Sequence, residues 1–327
     1  MADRYHIDIN GVSAKCNADV RVCPRGGAQY HFSTKEESDT YADFLNELEV
    51  KLEKPKHERF SIEEAKERAE IIEKAMKNPL MDRFNTRNFY YNNTLGEWSE
   101  ERNKQHEEIL NDFMEGFKDI PKDKKVLISA GLPGAGKTTV LKQIDEINIK
   151  EYATINADDI KEAMVEKGMV PEIRGLTPLE GAGLIHEESS YLADTLQKRL
   201  AKEGTNVIYD MTCKTKSSVE RRMAVFENSG YKLEDTTMVF VDIELDTSKE
   251  RAYNRYMEGL NDYIDGKSPS GGRYVPDVVF ESCKPTWDNT NSINQEVFKT
   301  YQMDKNNPMT MIEYDNNVNG RMPVRIS

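Results

Sequence analysis

Val126-Leu127-Ile128-Ser129-Ala130 runs into Gly131-Leu132-Pro133-Gly134-Ala135-Gly136-Lys137-Thr138, and Thr139-Val140-Leu141-Lys142-Gln143-Ile144 follows. The octet is Gly, four residues, Gly, Lys, Thr, which fits a phosphate-binding loop in full. Its flanks are those the pattern needs: a short buried strand before it and a helix opened by it. Glycines let backbone N–H groups approach phosphate oxygens, and a helix N-terminus adds partial positive charge. Lys137 is expected to reach β- and γ-phosphates and the Thr138 hydroxyl to ligate Mg²⁺. Leu132, Pro133, Ala135 and Thr139 complete the triphosphate cradle with the three glycines. The acceptor of the phosphate is left open by the loop itself.

Composition narrows the candidates. The chain has 327 residues, enough for one large domain with accessories or for two domains. It is 37% hydrophobic and 31% charged, and no apolar run approaches a membrane span. Met1-Ala2-Asp3-Arg4-Tyr5-His6 has neither the basic nor the apolar region of a secretory signal. Cys16, Cys23, Cys213 and Cys283 are too few for a disulfide framework in a chain this long, so a reducing, cytoplasmic setting is expected. A net charge of −13 argues against general nucleic-acid binding, which wants a basic surface. A small anionic substrate is compatible, because a few arginines focus a positive field inside an acidic protein.

Residues 1–50 read as a small α+β module. Tyr5 to Asn10 alternates as a strand does, and Cys23-Pro24-Arg25-Gly26-Gly27 is turn-rich. Ser33 or Thr34 is placed to cap a helix through Tyr41, Phe44, Leu45 and Leu48. Cys16, Cys23 and His31 invite a zinc reading, but the spacing is not that of a finger and a fourth ligand is missing. A small core with two buried thiols is the plainer reading. Residues 51–94 read as a helical linker or docking region: Ser61-Ile62-Glu63-Glu64 opens a helix and Pro79 stops it. Phe84, Phe89, Tyr90, Tyr91 and Trp98 read as a packing surface rather than a base-stacking platform, given the acidic composition. A helix from about Ser99 to Phe117 follows.

From residue 121 strands and helices alternate. Strands are expected at Val126–Ala130, Ala153–Asn156, Asn206–Asp210, Thr237–Ile243 and Thr310–Tyr314. Helices are expected from Lys137, over 158–167, over 179–202, near 217–228 and near 248–258. This order implies an α/β fold, a parallel sheet with helices on both faces, and ligands at the carboxyl ends of the strands. Residues 259–272 are polar and Gly-rich and read as a mobile lid between Arg255 and Arg273.

Phosphoryl transfer needs a triphosphate cradle, Mg²⁺, a group that takes the acceptor's proton, and positive charge on the transferring phosphate. Asp158 and Asp159 follow the second strand, where a carboxylate is placed to accept that proton; Asp159 is the better cap. Asp210 ends the third strand, suited to hold Mg²⁺ or orient substrate, with Thr212 two residues on. Arg255 and Arg273 suit the spread charge of phosphates, being planar, permanently charged and bidentate. Asp194, by periodicity alone, is a solvated charge opposite a leucine face; His186, Glu187 and Glu188 lack zinc-protease spacing.

Taken in order, these residues resemble the zeta toxins and their relatives, small-molecule kinases built on a phosphate-binding loop. The resemblance covers about residues 95–325. It rests on Gly131–Thr138, Ile155-Asn156-Ala157-Asp158, Lys202-Glu203-Gly204, Val207-Ile208-Tyr209-Asp210-Met211-Thr212, Arg255-Tyr256 and Gly272-Arg273-Tyr274-Val275-Pro276. Glu97-Trp98-Ser99 with Arg102 and His106 is similar to the helix that opens many such domains. The resemblance implies Asp158 as catalytic base, Lys137 and Thr138 as phosphate and Mg²⁺ residues, and Arg255 and Arg273 as the pair gripping ATP phosphates. It implies Asp210 as an acidic residue at the site, Thr212 as a nearby hydroxyl, and Asp194 in place of a substrate-contacting Glu. The best-known members phosphorylate the 3′-hydroxyl of UDP-N-acetylglucosamine and are restrained by a small helical antitoxin over the ATP site.

Tyr209-Asp210-Met211-Thr212 departs from the family's Glu-Gly-Thr, and Asp194 is one methylene short of Glu. Relatives with altered pockets phosphorylate other nucleotide-linked acceptors, including the adenosine ribose of NAD. The leading expectation is therefore an ATP/Mg²⁺-dependent kinase of a nucleotide-linked sugar, UDP-N-acetylglucosamine first, acting as a zeta-type toxin, with residues 95–327 as its domain. An NAD or nucleoside kinase is the second expectation and a polynucleotide kinase a weaker third. A nucleotide-switched interaction module using residues 1–95 is the alternative from another class.

Overall fold

A computed structural model describes residues 4–8, 10–19, 23, 28–54, 58–318 and 320–327. The expected turn over residues 24–27 lies outside them. In chain order the elements are β1 (Tyr5–Ile7), β2 (Ser13–Lys15), β3 (His31–Phe32), α1 (Lys35–Leu52), α2 (Ile62–Met76), α3 (Thr86–Tyr90), β4 (Tyr91–Asn92), β5 (Glu97–Trp98) and α4 (Glu100–Gly116). Then come β6 (Val126–Gly131), α5 (Lys137–Leu141), β7 (Ala153–Ile155), α6 (Ala157–Glu166), α7 (His186–Glu203), β8 (Val207–Met211), α8 (Lys216–Glu227), β9 (Thr236–Asp242) and α9 (Leu245–Ile264). The chain closes with α10 (Asp277–Glu281), α11 (Ile293–Met303), β10 (Thr310–Asp315) and β11 (Val324–Arg325). Two compact units result: Met1–Gln105 with Lys161–Glu188 and Tyr256–Arg273, and His106–Ile160 with Ser189–Arg255 and Tyr274–Ser327.

In the first unit β2-β1-β3 form a small antiparallel sheet. Thr34 caps α1 by accepting the Glu37 N–H, and Ser61 with Glu64 forms the expected capping box of α2. Leu45, Leu48 and Leu52 of α1 and Ala65, Ala69 and Ile72 of α2 are buried, as the helical spacing requires. The aromatic cluster is packing: Phe84 and Trp98 are buried, and the Tyr91 ring meets Trp98 edge-on at 5.2 Å. The helix expected to begin at Leu179 starts instead as a 3-10 stretch, Pro178–Ile185, before α7 takes over. Thr177 and Glu180 box its start, and glycines at 181 and 183 lower its α-helical preference.

The expected lid is partly helix. α9 continues to Ile264, absorbing the first residues of the 259–272 stretch. The other end is tied down: the Leu179 N–H donates to the Ser270 carbonyl at 2.9 Å. A Cβ on Gly272 would sit 2.2 Å from the Tyr256 carbonyl oxygen, so the turn hugs the helix too closely for a side chain.

The second unit holds a six-stranded sheet in the order β11-β10-β9-β6-β8-β7, parallel throughout except for β11 at the edge. β6 lies inside the sheet and is buried along its whole length, which is why it reads as an unbroken apolar run. Helices flank the sheet, and the expected α/β fold is present. α10, α11 and β11 have no counterpart in the sequence expectation. α11 is capped by Ser292 and stacks Phe298 on Phe240 of β9 at 5.2 Å. α5 is only five residues long, against the longer helix the sequence suggests. Any dipole contribution at the loop is correspondingly small, and its backbone N–H groups carry the cradle.

Asp242 closes β9 as a buried carboxylate that accepts the Asn291 side-chain N–H at 2.7 Å. Burial pushes its carboxyl up to about 6; the Asn291 bond opposes this, and the charges of Glu313 and Asp315 add to it. A carboxyl raised on folding binds its proton more tightly in the fold. It therefore favours the folded state below about pH 4, and that contribution is lost as pH rises through about 6. Asp242→Asn keeps an acceptor for Asn291 and removes the buried charge. It is expected to raise stability by about 1–2 kcal/mol at neutral pH and to leave it unchanged in acid. Denaturant titrations of both proteins across pH check this.

Candidate active site

The loop leaves the carboxyl end of β6. Its conformation demands glycine at three positions: Gly131 has φ 143°, Gly134 has φ 77° and Gly136 has φ 83°. A Cβ at Gly136 would lie 2.6 Å from the Asn316 side-chain nitrogen, and one at Gly134 would lie 2.9 Å from the Ser248 carbonyl oxygen. Leu132 and Ala135 point inward and join a buried cluster with Val140, Leu141, Val241 and Tyr314. Two outside side chains pin the loop's carbonyls. Ser248 Oγ donates to the Pro133 carbonyl at 2.6 Å, and Asn316 Nδ2 donates to the Ala135 carbonyl at 2.7 Å. Arg251 Nη2 in turn donates to the Asn316 carbonyl at 2.9 Å. With those carbonyls occupied, the loop's remaining N–H groups are its available backbone dipoles, apart from that of Ala135, which donates to the Leu132 carbonyl at 3.1 Å. Ser248, Arg251 and Asn316 escape sequence reading, because no spacing links them to the octet.

The strand order does the rest. β8 pairs with β6 in a register that sets Asp210 opposite Ser129, and β7 pairs with β8 so that Ile155 is opposite Tyr209. The loop, Asp210 and the start of α6 therefore stand side by side at one sheet edge. Lys137 Nζ donates to the Gly131 carbonyl at 3.1 Å and lies 3.6 Å from Asp210 Oδ1. Burial raises the Asp210 pKa; Lys137 and a Ser129 hydrogen bond oppose the rise, and the nearby Asp158 charge adds to it. Asp158, half-buried, has its N–H fixed by Asn156 Oδ1 at 2.9 Å. Thr138 is exposed in the first turn of α5, with Thr139 beside it. Lys137 and Asp210 are thus brought together, with Asp158 near enough for its charge to act on Asp210.

A cavity of about 320 Å³ opens beside Asp210. Its lining includes Ala157, Tyr209, Asp210 and Thr212, and three cations, Lys214, Arg221 and Arg222. None of these cations figures in the sequence expectation, because they sit among ordinary charges just before α8 and in its middle. Asp194 is neither a lone solvated charge nor a lining residue. It forms an ion pair with Arg222, whose guanidinium lies 5.3 Å from the Tyr209 ring centre. Thr212 is exposed, and its carbonyl accepts the Asn294 side-chain N–H at 2.6 Å.

Arg255 is exposed on α9 and, among the described residues, has no ion-pair partner. Arg273 is half-buried just after Gly271-Gly272, in the first unit. The His186-Glu187-Glu188 run separates as its spacing suggests: Glu187 pairs with Arg87 at 2.9 Å, and Glu188 is fully buried against Arg102. That pair is doubly bonded, Nε to Oε1 at 2.8 Å and Nη2 to Oε2 at 3.1 Å. A second cavity, about 770 Å³, lies within the first unit against Tyr30, Phe84, Tyr90 and residues 168–178. It lacks any loop that would cradle phosphate. No helix among the described residues is long and apolar enough to cross a membrane.

The family model described as Zeta toxin matches residues 110–317. No curated protein matches the chain. Crystal structures of the AvrRxo1-ORF1:AvrRxo1-ORF2 complex are similar in fold. One with sulphate ions has a TM-score of 0.53 at 15% identity, covering 76% of this chain and 72% of that one. One with ATP has a TM-score of 0.53 at 17% identity, covering 72% and 68%. The PezAT chromosomal toxin–antitoxin system of Streptococcus pneumoniae gives a TM-score of 0.45 at 13% identity, covering 68% and 78%.

Proposed function

The chain belongs to the zeta toxin family, and from that premise we propose that it is an ATP-dependent kinase of a hydroxyl on a nucleotide-linked sugar. The observation that carries the proposal is the row Lys137, Asp210, Asp158 at one sheet edge, beside a cavity with three cations. The loop N–H groups and Lys137 hold the triphosphate, and Asp158 takes the proton of the attacking hydroxyl. Arg255 and Arg273 are assigned the phosphate-gripping roles the family implies. The oxygen donors Thr138 and Asp210 are the hard set that Mg²⁺ takes, and Asp210 is a carboxylate already matched with one cation. Mg²⁺, when bound, offsets charge on the β- and γ-phosphate oxygens. A similar structure holds ATP, in keeping with the choice of nucleotide.

The acceptor is assigned to the cavity. Lys214, Arg221 and Arg222 suit the diphosphate that joins nucleoside to sugar, and the volume is that of a small-ligand pocket. UDP-N-acetylglucosamine, phosphorylated at its 3′-hydroxyl, is the first assignment. The Asp194–Arg222 pair favours a second acceptor, the adenosine ribose of NAD. It engages the carboxylate that stands in place of the family's substrate-contacting Glu, and it fixes a guanidinium at the pocket wall. Toxicity and restraint by an antitoxin follow from the same family reading.

³¹P NMR of reactions containing ATP, Mg²⁺ and one acceptor at a time tests the proposal. The expected result is a new phosphomonoester on a UDP-sugar or on NAD. ATP binding with no acceptor consumed across UDP-sugars, NAD and nucleosides would replace it with a nucleotide-switched binding module.

A further inference from the structure

We propose that His6, Cys16, Cys23 and His31 are the four ligands of a structural zinc site. One ligand atom from each of these residues lies within 4.8 Å of all the others. Cys16 Sγ and Cys23 Sγ are 3.8 Å apart, and Cys23 Sγ is 3.4 Å from His6 Nδ1. Zinc bonds of about 2.3 Å to sulfur and about 2.0 Å to nitrogen place tetrahedral ligands roughly 3.8 Å (S···S) and 3.6 Å (S···N) apart. The two observed separations match that polyhedron.

The sheet explains how a chain without finger spacing assembles these donors. β1 and β3 pair with His6 directly opposite His31, so both rings leave the same face, 5.8 Å apart at their centres. β1 and β2 pair with Tyr5 opposite Lys15, and the ladder extends one step, the Cys16 N–H donating to the Arg4 carbonyl at 2.7 Å. Cys16 is thus opposite Arg4, two residues from His6, and side-chain alternation puts it on the His6 face. Cys23 enters from the β2–β3 connection. The other face carries Phe32, which packs on Tyr41 of α1 at 5.0 Å between ring centres. Cys16, Cys23 and His31 are buried, and strands of three, three and two residues bury little apolar surface of their own.

The donor set selects the metal. Two thiolates and two neutral imidazoles exclude Mg²⁺ and Ca²⁺, which take oxygen, and suit Zn²⁺. Two thiolates cancel its charge, so a neutral cluster is what the fold buries. Four protein ligands complete the tetrahedron, which makes the site structural rather than catalytic.

Untagged full-length protein from zinc-supplemented medium, analysed by mass spectrometry for metals, is expected to carry about one zinc per chain. Cys16→Ser and His31→Ala should each lower this about tenfold, and Cys283→Ser, far from the cluster in sequence, should not. Replacement of the metal by Co²⁺ in the wild-type chain should give intense tetrahedral d–d bands and a thiolate charge-transfer band. That spectrum keeps the test alive if a ligand variant fails to fold. A chelator should lower Tm, with zinc but not magnesium restoring it. Wild-type protein without bound metal, a Cys16–Cys23 disulfide in its place, or zinc retained by both ligand variants would overturn the proposal.

Discussion

Lys137→Ala and Asp158→Ala are each expected to lower phosphoryl transfer by about 10³-fold or more, and by different routes. Lys137 is the cation beside the cradle, so its loss weakens ATP binding and removes charge stabilisation at the transferring phosphate together. Asp158 stands at the start of α6, so its loss leaves ATP affinity within about threefold of wild type and falls on kcat. Calorimetric ATP titration beside steady-state kinetics separates the two. Asp210→Asn is the informative third variant. Asp210 lies 3.6 Å from Lys137 and is the other carboxylate able to serve as base. Full activity in Asp158→Ala with loss in Asp210→Asn would transfer the base role to Asp210.

The octet was legible because a phosphate cradle is a local object. Its glycines, its Lys and its flanking strand are contiguous, and each is required by backbone geometry or charge. Asp158 and Asp210 were legible for a second reason. A parallel α/β sheet sends every strand end to one edge, so a carboxylate after a strand is near the loop if that strand is near β6. The cavity cations and the residues pinning the loop belong to no such rule. Arg222 owes its position to the Asp194 pair, and Asn316 to the way β10 ends beside β9. Both are non-local pairings whose residue types are common on any surface.

The same limit applies to residues 1–50. Cys16, Cys23 and His31 stood out, but His6 did not, because a ligand set is recognised by spacing only when one turn supplies it. Here cross-strand register supplies it. Nor did the sequence announce that residues 161–188 and 256–273 cluster with the first 105. The reason lies in single buried contacts. Glu180 reads as one more acidic residue in a chain with 58 Asp and Glu, yet it is fully buried.

Glu180→Ala is expected to destabilise the first unit by about 3–5 kcal/mol, more than any surface change in the chain. Glu180 accepts Arg68 Nε at 2.6 Å and Arg68 Nη2 at 2.8 Å, in the bidentate geometry that makes such pairs strong. It also accepts the Thr177 N–H at 2.7 Å and the Tyr256 hydroxyl. Arg68 also donates to the carbonyls of Leu52 and Gly175. Burial raises the Tyr256 pKa, and the Glu180 charge adds to it, so the phenol stays protonated and donating. Removing the carboxylate strands a buried guanidinium, and the desolvation penalty of that charge, rather than the lost attraction, dominates the effect. The double variant Arg68→Met/Glu180→Leu takes out both charges and should recover part of the loss, because no charge is left stranded, while the Thr177 N–H, the Tyr256 hydroxyl and the Leu52 and Gly175 carbonyls still lose their partners. Urea unfolding of the two single variants and the double variant closes the cycle. A double variant as unstable as the sum of the singles would show that the two side chains act through packing, and not through each other.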